Sequence, residues 1–224
     1  MDNSIRGFFI APTLQNHEAL MNDFSKQVEQ AEYHLCSIDP ALKQLIQTGP
    51  TFDTTPFKKQ PFEALVHAII AQQLSVKSAS AIRNRVQALL PNRDVSPLAY
   101  SQITLPDLKI AGMSQAKIKT LQTLYEFALA DASPFNELMS YSDKDVKDCL
   151  CQLKGIGPWT VDIFLMFGLK RLDIFAAGDL GLRKAIKLFN NLEQLPTPTE
   201  AGDIAKKWQP YRTVAAWHLW RTVD

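Results

Sequence analysis

Leu153-Lys154-Gly155-Ile156-Gly157-Pro158-Trp159-Thr160 is the stretch that says most about this chain. Two glycines one residue apart suit a very short connection that needs unusual dihedrals, and a proline directly after them suits the first turn of a new helix. The reading is a hairpin between two helices. Such a hairpin points backbone N–H groups outward from a glycine nest and a helix N-terminus, and those donors hold a phosphate without side-chain charge. Lys154 sits on it as the one nearby amine. The same turn leaves the carbonyls of Cys151, Leu153 and Ile156 facing inward, a set of oxygens suited to a monovalent cation (Na⁺ or K⁺); no other cofactor is implied. A plain tight turn carries the same pattern, so the neighbouring sequence has to arbitrate.

That sequence is helical on both sides. Ser142 with Asp145 forms a weak capping box for a helix to about Gln152, and the helix after Pro158 buries Val161, Phe164, Leu165, Phe167 and Leu169. Phe175-Ala176-Ala177-Gly178 then reads as a loop delivering Asp179, a helix N-cap, ahead of Leu180, Leu182, Ala185, Ile186 and Leu188. Upstream, the stripe Phe62, Leu65, Val66, Ile69 and Ile70 starts at Pro61 and runs to about Gln73. Ser75 caps a second stripe, so Gln72-Gln73-Leu74-Ser75 is a tight joint. Ala111-Gly112-Met113-Ser114 reads as stop, turn and new cap. A last helix runs from about Pro210 to Arg221, and Gln47 to Gln60 is a connector. Alternating apolar and polar runs are few, so the expectation is an all-α fold of about ten helices.

Composition agrees and excludes. The chain has 224 residues, of which 46% are hydrophobic and 21% charged, which fits a compact core and excludes disordered and collagen-like chains. No apolar run approaches a membrane span, and Met1 to Ile10 does not read as a signal peptide. Cys36, Cys149 and Cys151 make neither a disulfide set nor a metal site, so they are expected as reduced thiols. No histidine pair has metal-ligand spacing. The net charge is +1, but residues 154–187 carry six basic and three acidic side chains, a locally basic segment.

With these residues in place, the chain resembles the helix-hairpin-helix DNA glycosylases, within them the DNA-3-methyladenine branch. The match rests on the hairpin block above and on Asp173-Ile174-Phe175-Ala176-Ala177-Gly178-Asp179-Leu180-Gly181. It rests also on Ile69-Ile70-Ala71-Gln72-Gln73-Leu74-Ser75, on Gly112-Met113-Ser114 with Lys117, and on Trp208-Gln209-Pro210-Tyr211-Arg212-Thr213 with Trp220. It covers about residues 60–224; the first 60 look like the short helical start of the compact members. The resemblance implies two helical lobes flanking a DNA-binding cleft. Residues 61–165 form the central lobe, ending in the helix-hairpin-helix (about 143–169). Residues 1–60 and 166–224 form the other.

The implied chemistry is hydrolysis of the N-glycosidic bond of alkylated purines, such as 3-methyladenine and 7-methylguanine, in duplex DNA. Asp179 takes the position of the essential aspartate. At a helix N-cap it is held by backbone N–H groups and the helix dipole, and it can stabilise positive charge at C1′ and orient water. Trp159 stands where bifunctional relatives keep a lysine nucleophile, which implies no Schiff base and no strand cleavage. Its indole, with Trp220 and Gln72, would line the base pocket, where stacking on a cationic base is worth about 1–2 kcal/mol. Gln73 matches the residue that fills the gap left by the extruded nucleotide, and Leu74 or Met113 would wedge the opposite strand. Ser75, Ser114, Lys117, Lys154, Gly155, Ile156, Gly157 and Thr160 are assigned to DNA. Trp208, Tyr211 and Trp217 belong to the core; Arg212 either braces the loop before Asp179 or touches DNA. No cysteine follows Cys151, so an iron–sulfur subfamily is excluded. A monomer acting on duplex DNA in the cytoplasm, at a nucleoid or in a nucleus, is expected, with no membrane partner. The competing readings are a non-catalytic helix-hairpin-helix DNA-binding module, and a glycosylase for mismatched or deaminated bases.

Overall fold

The structure, a computed structural model, describes residues 14–130 and 134–223, and among them every regular element is a helix. The opening segment Met1 to Ile10 and the side chain of His17 lie outside the described residues. Twelve α-helices follow one another: α1 (Leu14–Ile38), α2 (Pro40–Thr48), α3 (Pro61–Ala71), α4 (Val76–Ala88), α5 (Pro97–Ser101) and α6 (Leu105–Ile110), then α7 (Gln115–Leu129), α8 (Asp143–Leu150), α9 (Pro158–Phe167), α10 (Leu180–Phe189), α11 (Pro198–Ala205) and α12 (Arg212–Trp220).

Local chemistry sets most of the boundaries. Ser75, Ser96, Thr104, Ser114, Ser142 and Thr197 each accept from the N–H three residues on, and Thr197 with Glu200 completes a capping box. Proline occupies the first turn of α2, α3, α5, α6, α9 and α11, where its missing N–H costs nothing. The expected helix to Gln73 stops instead at Ala71, because the next residues form a turn. The connector expected over 47–60 holds the end of α2 and one 3-10 turn, Thr55–Lys58.

By packing, α3 lies on α4, α7 and α9, with α5 and α6 behind α7 and α8 beside α9. Helices α1, α2 and α10 pack around α12, and α11 joins α10. One apolar core runs through both groups, from Phe24 and Leu35 through Leu65, Ile69 and Phe164 to Trp208 and Leu219. Trp208 is fully buried and donates its indole N–H to Asp39, the N-cap of α2 (2.8 Å). Trp217 and Tyr211 are partly buried against this core. The three cysteines are free thiols. No helix among the described residues is long and apolar enough to cross a membrane.

Candidate active site and nucleic-acid face

The loop after α9 folds back so that Asp179 caps α10. Its Oδ1 accepts from the Leu182 N–H (2.7 Å) and from the indole N–H of Trp220 (2.9 Å), and its Oδ2 accepts from the indole N–H of Trp159 (2.9 Å). One carboxylate thus gathers donors from the starts of α9 and α10 and the end of α12. All three side chains are half-buried. Hydrogen bonds to a charged group, converging in this way, complement negative charge and fix its direction. Trp159 and Trp220, expected as walls of a base pocket, are therefore also the clamps of the acid.

Gly181 packs closely against this arrangement, and its role was not foreseen. A Cβ there would lie 3.1 Å from Asp179 Oδ1 and 3.5 Å from Trp220 Cδ1, so a side chain would crowd the carboxylate by a few tenths of an ångström while only touching the indole. The loop ahead of Asp179 is braced by Arg212. Its Nε and Nη2 reach the Asp173 carboxylate at 2.7 and 3.0 Å, and Nη2 also donates to the Asp173 carbonyl (2.8 Å). Of the two roles open to Arg212, the structure supplies the bracing one. Thr213 adds to it by donating to the Arg171 carbonyl and accepting from the Ile174 N–H.

The hairpin between α8 and α9 departs from expectation in one glycine. Gly155 has φ +90°, and a Cβ would sit 1.9 Å from Thr120 Oγ1, so both conformation and packing against α7 demand glycine. Gly157 is different: it is the N-cap of α9 in extended conformation, and a Cβ would meet nothing within 4 Å. Its open face is space for a ligand to approach the backbone. The N–H groups of Gly155 and Gly157 have no partner among the described residues, whereas that of Ile156 donates to the Leu153 carbonyl (3.0 Å). Ile156, expected at the DNA, is buried with its N–H engaged; Lys154 is exposed.

Four site assignments are corrected. Gln72 is not with the tryptophans: its Nε2 donates to the Gly155 carbonyl (3.0 Å) and to Thr160 Oγ1 (2.9 Å), using both amide hydrogens. Thr160 is 2% exposed and packed beneath the hairpin, so it does not present itself to DNA. Lys117 donates to the carbonyls of Ile70 (2.8 Å) and Gln72 (2.7 Å), the open end of α3, and burial pushes its ammonium pKa down. Met113 is 4% exposed and cannot wedge a strand, while Leu74 is 38% exposed and can.

The joint between α3 and α4 is a type II turn. The Leu74 N–H donates to the Ala71 carbonyl (3.1 Å), Gln72 has φ −47° and ψ 126°, and Gln73 has φ 55°. Position three of such a turn favours glycine or asparagine; a glutamine there costs about 1 kcal/mol. Gln73 is exposed, followed by exposed Leu74, Ser75 and Val76. Ser75 and Ser114 serve as helix caps with their residues exposed. A groove lined by Lys147, Asp148, Cys151, Gln152 and Pro158 flanks the hairpin and shares no residue with the Asp179 cluster.

Comparison with known proteins agrees with this geometry. Residues 66–210 match the family described as HhH-GPD superfamily base excision DNA repair protein. The chain is 30% identical over 213 residues to DNA-3-methyladenine glycosylase 1 of Schizosaccharomyces pombe, covering 93% of this chain and 92% of that one. Among solved structures it resembles the S. pombe 3-methyladenine DNA glycosylase in complex with abasic DNA (TM-score 0.79, 32% identity, 86% of this chain and 96% of that one). It also resembles a DNA-3-methyladenine glycosidase from Bacillus halodurans (TM-score 0.68, 33% identity, 85% and 87%).

Proposed function

The chain belongs to the HhH-GPD superfamily of base excision DNA repair proteins, and from that premise we propose that it is a monofunctional glycosylase removing alkylated purines from duplex DNA. Asp179 is the residue on which the chemistry turns. The observation that carries the reading is its carboxylate, half-buried and held by three N–H donors from three helices. Breaking the bond between C1′ and the base nitrogen leaves positive charge on the sugar. A fixed carboxylate stabilises that charge without reorganising. Water then adds its oxygen to C1′ and gives up a proton, while the base departs with the bonding electron pair.

An alkylated purine already carries positive charge, so it leaves without strong general acid help. The indoles of Trp159 and Trp220 offer such a cation a π surface. With tryptophan at position 159 there is no amine to form a Schiff base with the sugar, which supports hydrolysis without strand cleavage. The Gly155 and Gly157 N–H groups, Lys154 and the N-terminus of α9 form the phosphate grip; Gln73 fills the gap and Leu74 wedges the opposite strand. The carbonyls of Cys151, Leu153 and Ile156 are neutral oxygens suited to Na⁺ or K⁺, and the Leu153 oxygen, which already accepts the Ile156 N–H, keeps one lone pair for it. The protein works as a monomer in whichever compartment holds the DNA.

The test is base release from methylated duplex DNA, each free base identified by mass and the strands checked for breaks. The wild-type protein releases methylated purines and leaves strands intact. In Asp179→Asn an amide N–H₂ faces an indole N–H, and the negative charge is gone. Base release should fall by at least about 100-fold, with binding to abasic duplex retained. Full activity in that variant, or nicked strands with the wild type, would overturn the reading.

A further inference from the structure

Two polar groups that take no part in the chemistry anchor the α3–α4 turn, Lys117 to α7 and Gln72 to the hairpin. The Lys117 ammonium holds the Ile70 and Gln72 carbonyls, and the Gln72 amide holds the Gly155 carbonyl and Thr160 Oγ1. Helix α7 touches both ends of this arrangement. Lys117 and Thr120, one turn apart on that helix, contact the turn and the hairpin respectively, since the Thr120 hydroxyl lies where a Gly155 Cβ would be.

The geometry of the turn gives the ties a purpose. Types I and II differ by a flip of the central peptide, here the one joining Gln72 to Gln73. In type I the Gln72 carbonyl would turn away from Lys117 and Gln73 would leave its left-handed conformation. A non-glycine residue ordinarily prefers that alternative, so something must hold the peptide in the observed orientation. A half-buried ammonium on the Gln72 oxygen does so from one side, and the side chain of the same residue, hydrogen-bonded to the hairpin, does so from the other.

We propose that Gln72 and Lys117 are positioning residues for nucleotide extrusion: they hold the central peptide of the turn in its type II orientation and set Gln73 in register with the hairpin that grips the backbone. The inference rests on the reading of the chain as a base-extruding glycosylase. It makes a distinction that simple capping of α3 would not. A preorganised plug matters when pairing must be broken and matters little when the partner base is already missing.

The experiment compares release of 7-methylguanine from two duplexes of one sequence, the lesion facing cytosine in one and a reduced abasic site in the other. Lys117→Met should release base about tenfold more slowly from the first and within about twofold of wild type from the second. Gln72→Leu should show the same split, and it carries the test if Lys117→Met does not fold. Lys117→Arg, which keeps donors for both carbonyls, should recover most of the paired-duplex rate. 2-Aminopurine beside the lesion should brighten less on binding Lys117→Met than on binding wild type. Equal losses on both duplexes, or no loss on either, overturn the proposal. A wild-type protein that releases no base from either duplex defeats the glycosylase reading instead.

Discussion

Gln73 occupies a place where glycine would sit more comfortably, with φ 55° in a turn that both neighbours fix by hydrogen bonds. Backbone strain held by its surroundings marks a residue retained for what its side chain does. Gln73→Gly should therefore leave the melting temperature unchanged or raise it by up to about 3 °C, because relieved strain offsets the greater freedom of the unfolded chain. The same variant should release bases from paired duplex about tenfold more slowly. Thermal melts and single-turnover kinetics on one preparation check both halves. Loss of stability would mean that the glutamine side chain serves the fold.

Within the hairpin the two glycines answer to different forces, and two alanine variants separate them. Gly155→Ala drives a methyl into Thr120 and forces a left-handed alanine, so it should destabilise by roughly 2–4 kcal/mol, visible as a lower denaturation midpoint. Gly157→Ala meets no atom of the protein, so stability should hold while duplex affinity falls alike for damaged and undamaged DNA. A lesion-selective loss in the second variant would contradict the phosphate assignment. This element also marks the limit of reading from sequence. Caps such as Ser75, Ser114 and Asp179 were legible because a cap is satisfied three residues away. The ties of Gln72 to Gly155 and of Lys117 to Gln72 span 83 and 45 residues, so they follow from how helices dock, which local pattern does not encode. Lys117 and Thr160, expected at the DNA, instead fasten the turn and the hairpin to the rest of the protein. Five- and six-residue helices such as α5 and α6 were too short to show a stripe.

At the scale of the molecule, one buried ring bears on acid resistance. Both nitrogens of His67 are buried without a hydrogen bond; Glu63 is 3.7 Å away, and Lys59 and Arg83 act on the ring as nearby cations. Burial, aided by those cations, lowers its pKa to about 3. An unfolded histidine titrates near 6.5, so the unfolded chain takes up a proton that the native protein refuses. The contribution of His67 is fully present above pH 6.5 and is lost as pH falls toward 3. By pH 4 the loss is roughly 3 kcal/mol. Glu63, whose carboxyl burial shifts upward, takes up its proton at higher pH in the native than in the unfolded chain and offsets part of it. In His67→Leu the unfolding free energy should fall less between pH 7 and pH 4 than in wild type, as read from urea titrations. Parallel profiles would exclude the histidine as the acid-sensitive group.

The donors that hold Asp179 come from positions 159, 182 and 220, so the acid is assembled from pieces of chain made at different times. During synthesis the residues of the hairpin are made well before Trp220. The carboxylate therefore reaches its observed geometry only after α12 has docked against α10.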